Sequence, residues 1–264
     1  MILLYIVVAA LYAIAAWLRN PGAISRGRFR SSAVLIGLAL VLHAWTIEQS
    51  ILTPEGLDLS FLHALSLVAW VTVLVGGISG VLGRLPAVGN VILAVAAVCA
   101  LAPMAGGNAH RFPYASQPWA TAHIAVALVA YALFVVAALH AIVLTGLERK
   151  LRRGIGTVDG GDTPPLLTLE RFLFRLVAAG FVLLTLTMAS GALFSEQLFG
   201  KAMTFNHKNV FSLLGWCTFA ILLLGRWRYG WRGRRALYWI IAGTTLLVLG
   251  YLGSKFVTEI ILGR

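Results

Sequence analysis

Apolar residues run along this chain in long, nearly unbroken stretches, set apart by short segments carrying arginine, proline, glycine or aspartate. The stretches show neither the two-residue alternation of a half-buried strand nor the narrow apolar stripe of a surface helix. They fall at about 2–18, 33–51, 63–82, 86–104, 119–147, 172–194, 208–225 and 236–262. Roughly 20 apolar residues in a helix cross a hydrocarbon core of ~30 Å, so each stretch predicts one transmembrane helix. The pattern predicts an all-α, polytopic membrane bundle of about eight helices, with residues 1–264 forming one integral membrane domain.

The interruptions add connectivity. Gly83-Arg84-Leu85-Pro86 is a tight connection whose proline suits the first turn of the next helix, so the third and fourth spans should pack as an antiparallel hairpin. Residues 105–118 hold paired glycines and two prolines and are expected to be irregular, covering one mouth of the bundle. Only 148–171, with its ERKLRRG run, Gly160, Gly161, Pro164 and Pro165, is long enough to act as a linker, and it separates five helices from three. No internal repeat is evident, which weighs against an inverted-repeat transporter.

Composition removes the soluble alternative: 60% of the 264 residues are hydrophobic, 11% are charged, and the mean hydropathy is +0.90. A net charge of +12 would ordinarily raise nucleic acid as a partner. Here 16 of the 21 Lys and Arg lie after spans one, three, five and seven or at the entry to span six, so the bilayer is the partner expected and nucleic acid is not. By the positive-inside rule those loops are cytoplasmic. Both termini and the loops near 52–62, 105–118 and 195–207 then face the outer, periplasmic side. The first stretch has no basic residue before it, whereas Arg19, Arg26, Arg28 and Arg30 follow it, the reverse of a secretory signal, so a retained helix is expected. Cys99 and Cys217 lie inside spans, form neither a Cys-x-x-Cys pair nor a haem-attachment motif, and read as small apolar residues.

On this topology three of the six histidines, His63, His123 and His207, begin spans at the same outer face, and His43 lies inside span two. A histidine near mid-membrane usually faces the bundle interior, where it serves a site or hydrogen-bonds a neighbouring helix. Glu48, five residues after His43, is either its partner or an interface residue. His123, four residues after Trp119, and His207, in Phe205-Asn206-His207-Lys208, should lie at similar depth. Two imidazoles so placed suit the two faces of a flat ligand such as haem, whose porphyrin wants an apolar slot and whose propionates want cations. Arg111, Lys201 and Lys208 stand in the outer segments as candidate propionate partners, against the plainer reading of interfacial snorkelling. Zinc is less favoured, because each histidine stands alone on its helix. His63 and His110 read more simply as interfacial or solvated, and His140, about 25 Å from His123 along one helix at ~1.5 Å per residue, cannot join an outer cluster. Lys255 and Glu259, spaced i, i+4, are expected to form a structural ion pair.

The stretch His123-Ile-Ala-Val-Ala-Leu-Val-Ala-Tyr131-Ala-Leu-Phe134 resembles the His-to-Tyr helix of the cytochrome c assembly proteins of the CcsA and CcmC type. Leu184-Thr-Leu-Thr-Met-Ala-Ser190-Gly191-Ala-Leu-Phe-Ser-Glu196 resembles the segment leading to that family's tryptophan-rich motif. The likeness follows span order over about 33–262 and is specific mainly between 119 and 256. The YpjD-type inner-membrane branch is closer still, through Phe205-Asn206-His207-Lys208, Gly230-Trp231-Arg232-Gly233-Arg234 and Tyr251-Leu252-Gly253-Ser254-Lys255-Phe256. The resemblance implies haem handling: His123 matches the first outer haem histidine and His43 the in-membrane one. Where the family has its tryptophan-rich segment this chain reads Phe199-Gly200-Lys201-Ala202-Met203-Thr204-Phe205-Asn206-His207-Lys208-Asn209, without tryptophan. The second outer histidine expected near the end of the last span is also absent, which makes His207 the candidate replacement as axial ligand.

The expected function is therefore a haem-binding membrane protein, holding haem b non-covalently near the outer face through histidines. It would present the haem to apocytochrome c or another membrane assembly subunit, with no bond-making chemistry of its own. Two other classes stay open: a transporter or accessory subunit of a metal-ion export system, and a structural membrane assembly subunit. Coupled cation transport usually needs mid-membrane carboxylates, and here Asp and Glu occur only in loops or near helix ends.

Overall fold

A computed structural model of the chain describes residues 2–19, 26–53, 56–58, 60–78, 86–106, 111–112, 118–153, 166–193 and 207–261. Eight helices carry the fold: α1 (Ile2–Leu18), α2 (Arg26–Ile51), α3 (Phe61–Ile78), α4 (Pro86–Leu101, then a 3₁₀ turn at Ala102–Ala105), α5 (Pro118–Arg152), α6 (Leu166–Leu193), α7 (His207–Tyr229) and α8 (Gly233–Val248). The last continues into wide π-helical turns at Leu249–Gly253 and Phe256–Ile261. Seven of the eight are long and apolar enough to cross a bilayer, and α1, with 17 residues, reaches about 25 Å at ~1.5 Å per residue.

Several helices outrun their apolar stretches: α2 starts at Arg26, α5 continues to Arg152, and α6 starts at Leu166. Hydropathy marks only what sits in hydrocarbon, whereas the backbone ladder continues through Glu, Arg and Leu, which are good helix formers. The linker expected at 148–171 accordingly contracts to the residues between Arg152 and Leu166.

The segment 105–118 is not irregular throughout. Three short strands, β1 (Leu52–Thr53), β2 (Gly56–Asp58) and β3 (Arg111–Phe112), form an antiparallel sheet in the order β1-β2-β3. Its register pairs Leu52 with Leu57, Leu57 with Phe112 and Asp58 with Arg111. This pairing satisfies backbone groups that would otherwise need water and ties two connections, far apart in sequence, to one end of the bundle.

Packing divides the helices differently from the linker. Among the described residues, α1 packs on α2 and α4, and α3 packs on α2 and α4; α5 packs on α6 and α8, and α7 on α8 and α6. The grouping is thus four and four, not five and three, with α3 against α5 as the main seam between them. Helix α5 can serve both groups because its buried face is small: Ala130, Ala132, Ala137, Ala138 and Ala141 are all buried there. In hydrocarbon, close backbone approach and dispersion drive helix association, since lipid is as apolar as leucine. For the same reason large apolar side chains such as Val34, Leu186 and Leu224 point outward.

At the centre of the second group, Phe134 stacks on Phe219 with centroids 3.8 Å apart. A Cβ on Gly180 would come within 3.0 Å of Phe134, and one on Gly243 within 2.8 Å of Phe219. A Cβ on Gly250 would stand 2.9 Å from Phe211, so Gly243 and Gly250, seven residues apart, let α7 and α8 approach along their length. Replacing Gly243 by valine should lower thermal stability in detergent by an amount typical of overpacking, about 1–3 kcal/mol, whereas Gly37→Val, where nothing lies within 4 Å, should leave the melting curve in place. Equal melting of the two variants would remove this account of the α7–α8 contact.

Candidate functional site

Helix α5 begins at Pro118, a residue suited to the first helical turn, and carries Trp119 and then His123 one turn later. Trp119 is 71% exposed, as an aromatic residue at a membrane–water boundary would be. His123 is half-buried against α6: its Nδ1 lies 2.8 Å from Ser190 Oγ. Ser190 Oγ in turn donates to the Thr187 carbonyl oxygen at 3.0 Å.

When the Ser190 hydroxyl gives its one proton to the Thr187 carbonyl, the His123 Nδ1 carries the hydrogen and donates to Ser190 Oγ. In the neutral ring this leaves Nε2 with its lone pair, and no described residue is seen to hydrogen-bond it. Beside Ser190, Gly191 keeps the ring's flank open: a Cβ there would stand 3.4 Å from His123 Cε1. The hydroxyl of Ser190 thus fixes the orientation of the imidazole at one nitrogen.

Two turns further along α5, Tyr131 hydrogen-bonds Ser212 on α7 and meets the Tyr251 ring edge-on, with centroids 6.0 Å apart. Lys255, one turn beyond Tyr251 on α8, is buried with its Nζ 6.0 Å from the Tyr251 centroid, and Phe256 meets Phe61 at the start of α3. The ends of α3, α5, α7 and α8 therefore converge on the side of the bundle where His123 sits. The sequence did not bring Tyr131, Tyr251 and a buried Lys255 together; the tyrosine spacing after His123 marked only the first of them. The side chain of Glu259, its expected partner, lies outside the described residues.

The other histidines occupy different settings. His63 sits three residues into α3 with Nδ1 2.8 Å from Ser60 Oγ and 3.5 Å from Asp58 Oδ2, while the Ser60 amide donates to Asp58 Oδ1 at 3.0 Å. These contacts tie His63 to the residues that lead into α3. His43 is fully buried between three helices: Nδ1 lies 3.3 Å from Tyr12 Oη of α1, and Nε2 lies 2.9 Å from Ser66 Oγ of α3. Both its nitrogens are engaged, and Glu48, the partner suggested by sequence, is exposed instead. His140 packs on Phe172 near the start of α6, far from Ser190 at that helix's other end. His207 opens α7 and Lys208 follows it, exposed; the side chains of His207 and Arg111, and all of His110 and Lys201, lie outside the described residues. Among the described residues, no three His, Cys, Asp or Glu side chains gather into a metal-binding group.

Comparison with known proteins places this geometry. Residues 32–262 match the Cytochrome C assembly protein family. The Inner membrane protein YpjD of Escherichia coli K12 is 32% identical over 258 residues, covering 95% of both chains. The cytochrome c biogenesis protein CcsA of Prochlorococcus marinus MIT 9303 is 25% identical over 166 residues, covering 53% of this chain and 52% of its own, and no solved structure matches. The His123–Ser190 pair thus lies within a membrane bundle that belongs to the cytochrome c assembly protein family.

Proposed function

We propose that this chain is an inner-membrane haem-binding protein that holds haem b as non-covalent cargo at its periplasmic end, with His123 Nε2 as an axial ligand. The observation that carries this reading is the chain of contacts from His123 through Ser190 to the Thr187 carbonyl, which holds the imidazole at Nδ1 while no described residue is seen to hydrogen-bond Nε2. Haem iron, when bound, supplies the coordination bond that keeps the porphyrin in place. Everything else is the protein's part. Ser190 orients the imidazole and strengthens it as a donor to iron, and Gly191 leaves space along its edge.

The sidedness rests on charge. Arg28 and Arg30, Arg149 to Arg153, and Arg226 to Arg235 lie at the bundle end opposite His123, so the positive-inside rule assigns that end to the cytoplasm and the histidine end to the periplasm. The inner-membrane location also accords with the name of the YpjD relative, and haem handling with the names of the CcsA relatives. His207 is the second axial ligand in this reading. The Tyr131–Ser212 contact joins α5 to α7; His123 lies eight residues beyond Tyr131 and His207 five beyond Ser212, rises of about 12 and 8 Å at ~1.5 Å per residue. Trp119 walls the porphyrin, and Arg111 and Lys208 meet the propionates. His63 stays at the start of α3, and His43 acts as a clamp between α1, α2 and α3 rather than as a ligand. Apocytochrome c, or another assembly subunit of the membrane, receives the cargo.

Purified protein loaded with haem should show a low-spin bis-histidine Soret spectrum, and His123→Ala should abolish it. Protein that stays colourless on loading, or a spectrum untouched by this change, would refute the assignment. Ser190→Ala should keep the spectrum but weaken haem affinity about 10- to 100-fold by titration, the usual effect of losing the group that holds a ligating histidine. His43→Leu should retain the Soret band while lowering the melting temperature; loss of the band with melting unchanged would make His43 a ligand instead.

A further inference from the structure

At the arginine-bearing end, the C-terminal turns of α5, the start of α6 and the start of α8 enclose a cavity of about 790 Å³. Its floor is apolar, from Leu144, Leu166, Leu173, Phe174 and Leu237. Its lining carries six arginines, Arg149, Arg152 and Arg153 from α5 and Arg232, Arg234 and Arg235 at the entry to α8. Two carboxylates, Glu148 and Glu170, also line it.

Those carboxylates are already taken. Glu148 accepts from Arg152 at 2.7 Å, and Glu170 accepts from Arg226 at 2.8 Å with Arg232 3.6 Å away. Arg235 lies over the Trp231 ring, 5.2 Å from its centroid. Among the described residues, Arg149, Arg153 and Arg234 have no acidic partner. Guanidinium groups converging from separate helices over an apolar floor match an anion attached to hydrocarbon, because the fork recognises phosphate oxygens while the floor accepts methylenes. The apolar surface begins in the lining itself, where Leu167 is 58% exposed, and continues outside it at Tyr238, 66% exposed, and Ile142, 50% exposed. Basic pockets between transmembrane helices at such a surface hold anionic lipid headgroups.

We propose that this cavity is a binding site for the phosphodiester headgroup of an anionic phospholipid, gripped by Arg149, Arg153 and Arg234, with its acyl chains along the exposed faces of α5 and α8. The site is separate from the His123 end and does not depend on haem.

The test uses the full chain in nanodiscs of phosphatidylcholine doped with phosphatidylglycerol, followed by native mass spectrometry of the lipid retained on release. Wild type should retain phosphatidylglycerol in preference to phosphatidylcholine. The variant Arg149→Gln/Arg153→Gln/Arg234→Gln should lose that preference by about tenfold or more, the scale of losing one bidentate charge-assisted contact. These three arginines have no acidic partner among the described residues, so the variant's melting in zwitterionic detergent should match wild type and separate lost binding from lost folding. Arg28→Gln/Arg30→Gln, at the same bundle end but on α2, should keep the preference. Equal retention by the triple variant, or equal loss in the α2 variant, overturns the site in favour of a general charge effect. Displacement of the lipid by millimolar inorganic phosphate would overturn the lipid in favour of a soluble phosphate ligand.

Discussion

Hydrocarbon offers no water to a polar group, and this constraint shapes each part of the bundle. Backbone groups close on themselves in eight helices, and at the His123 end two connections close on each other as a three-stranded sheet. Side chains obey the same demand. Ser32, Thr72, Thr185 and Thr218 donate to backbone carbonyls, Trp70 donates to the Leu40 carbonyl, and Trp216 donates to Thr185. Small residues decide which helices meet: the alanine face of α5 and the glycines of α8 allow the close approach that dispersion needs.

The histidines show how one constraint yields different chemistry. A buried imidazole has two nitrogens to satisfy. At His43 both are met, by Tyr12 and Ser66, and the residue becomes a joint between three helices. At His63 the ring is drawn to the start of α3 by Ser60 and Asp58. At His123 one nitrogen is fixed by Ser190 and the other faces away from it, at a helix end where aromatic and cationic groups collect. This last setting combines a ring held at one nitrogen with a second nitrogen that no described residue is seen to hydrogen-bond.

The two ends of the bundle differ in their density of charge. At the His123 end the described cations are few, and Lys255 is buried against aromatic rings. At the other end arginines crowd the termini of α5, α7 and α8, where Glu148 and Glu170 neutralise some and leave others facing a cavity. Sequence reading sees both groups, but assigns the arginines wholly to topology. Their convergence depends on α5 extending rigidly to Arg152 and on α8 entering the bundle beside it.

Eight helices, their approximate limits, the charge asymmetry and the family likeness were all legible in the amino-acid sequence. Each depends on local composition: apolar length against bilayer thickness, basic residues against membrane sidedness, and short motifs. The Ser190-Gly191 pair was visible as a motif, but its purpose was not, since it lies 67 residues from His123 and meets it only through the packing of α6 on α5. Likewise, nothing around His43 names Tyr12 or Ser66, and the linker suggested five helices and three where packing makes four and four. Tertiary structure decided these points because the partner of a buried polar atom is set by which helix faces meet, and small residues buried along those faces set that, not their order in the chain.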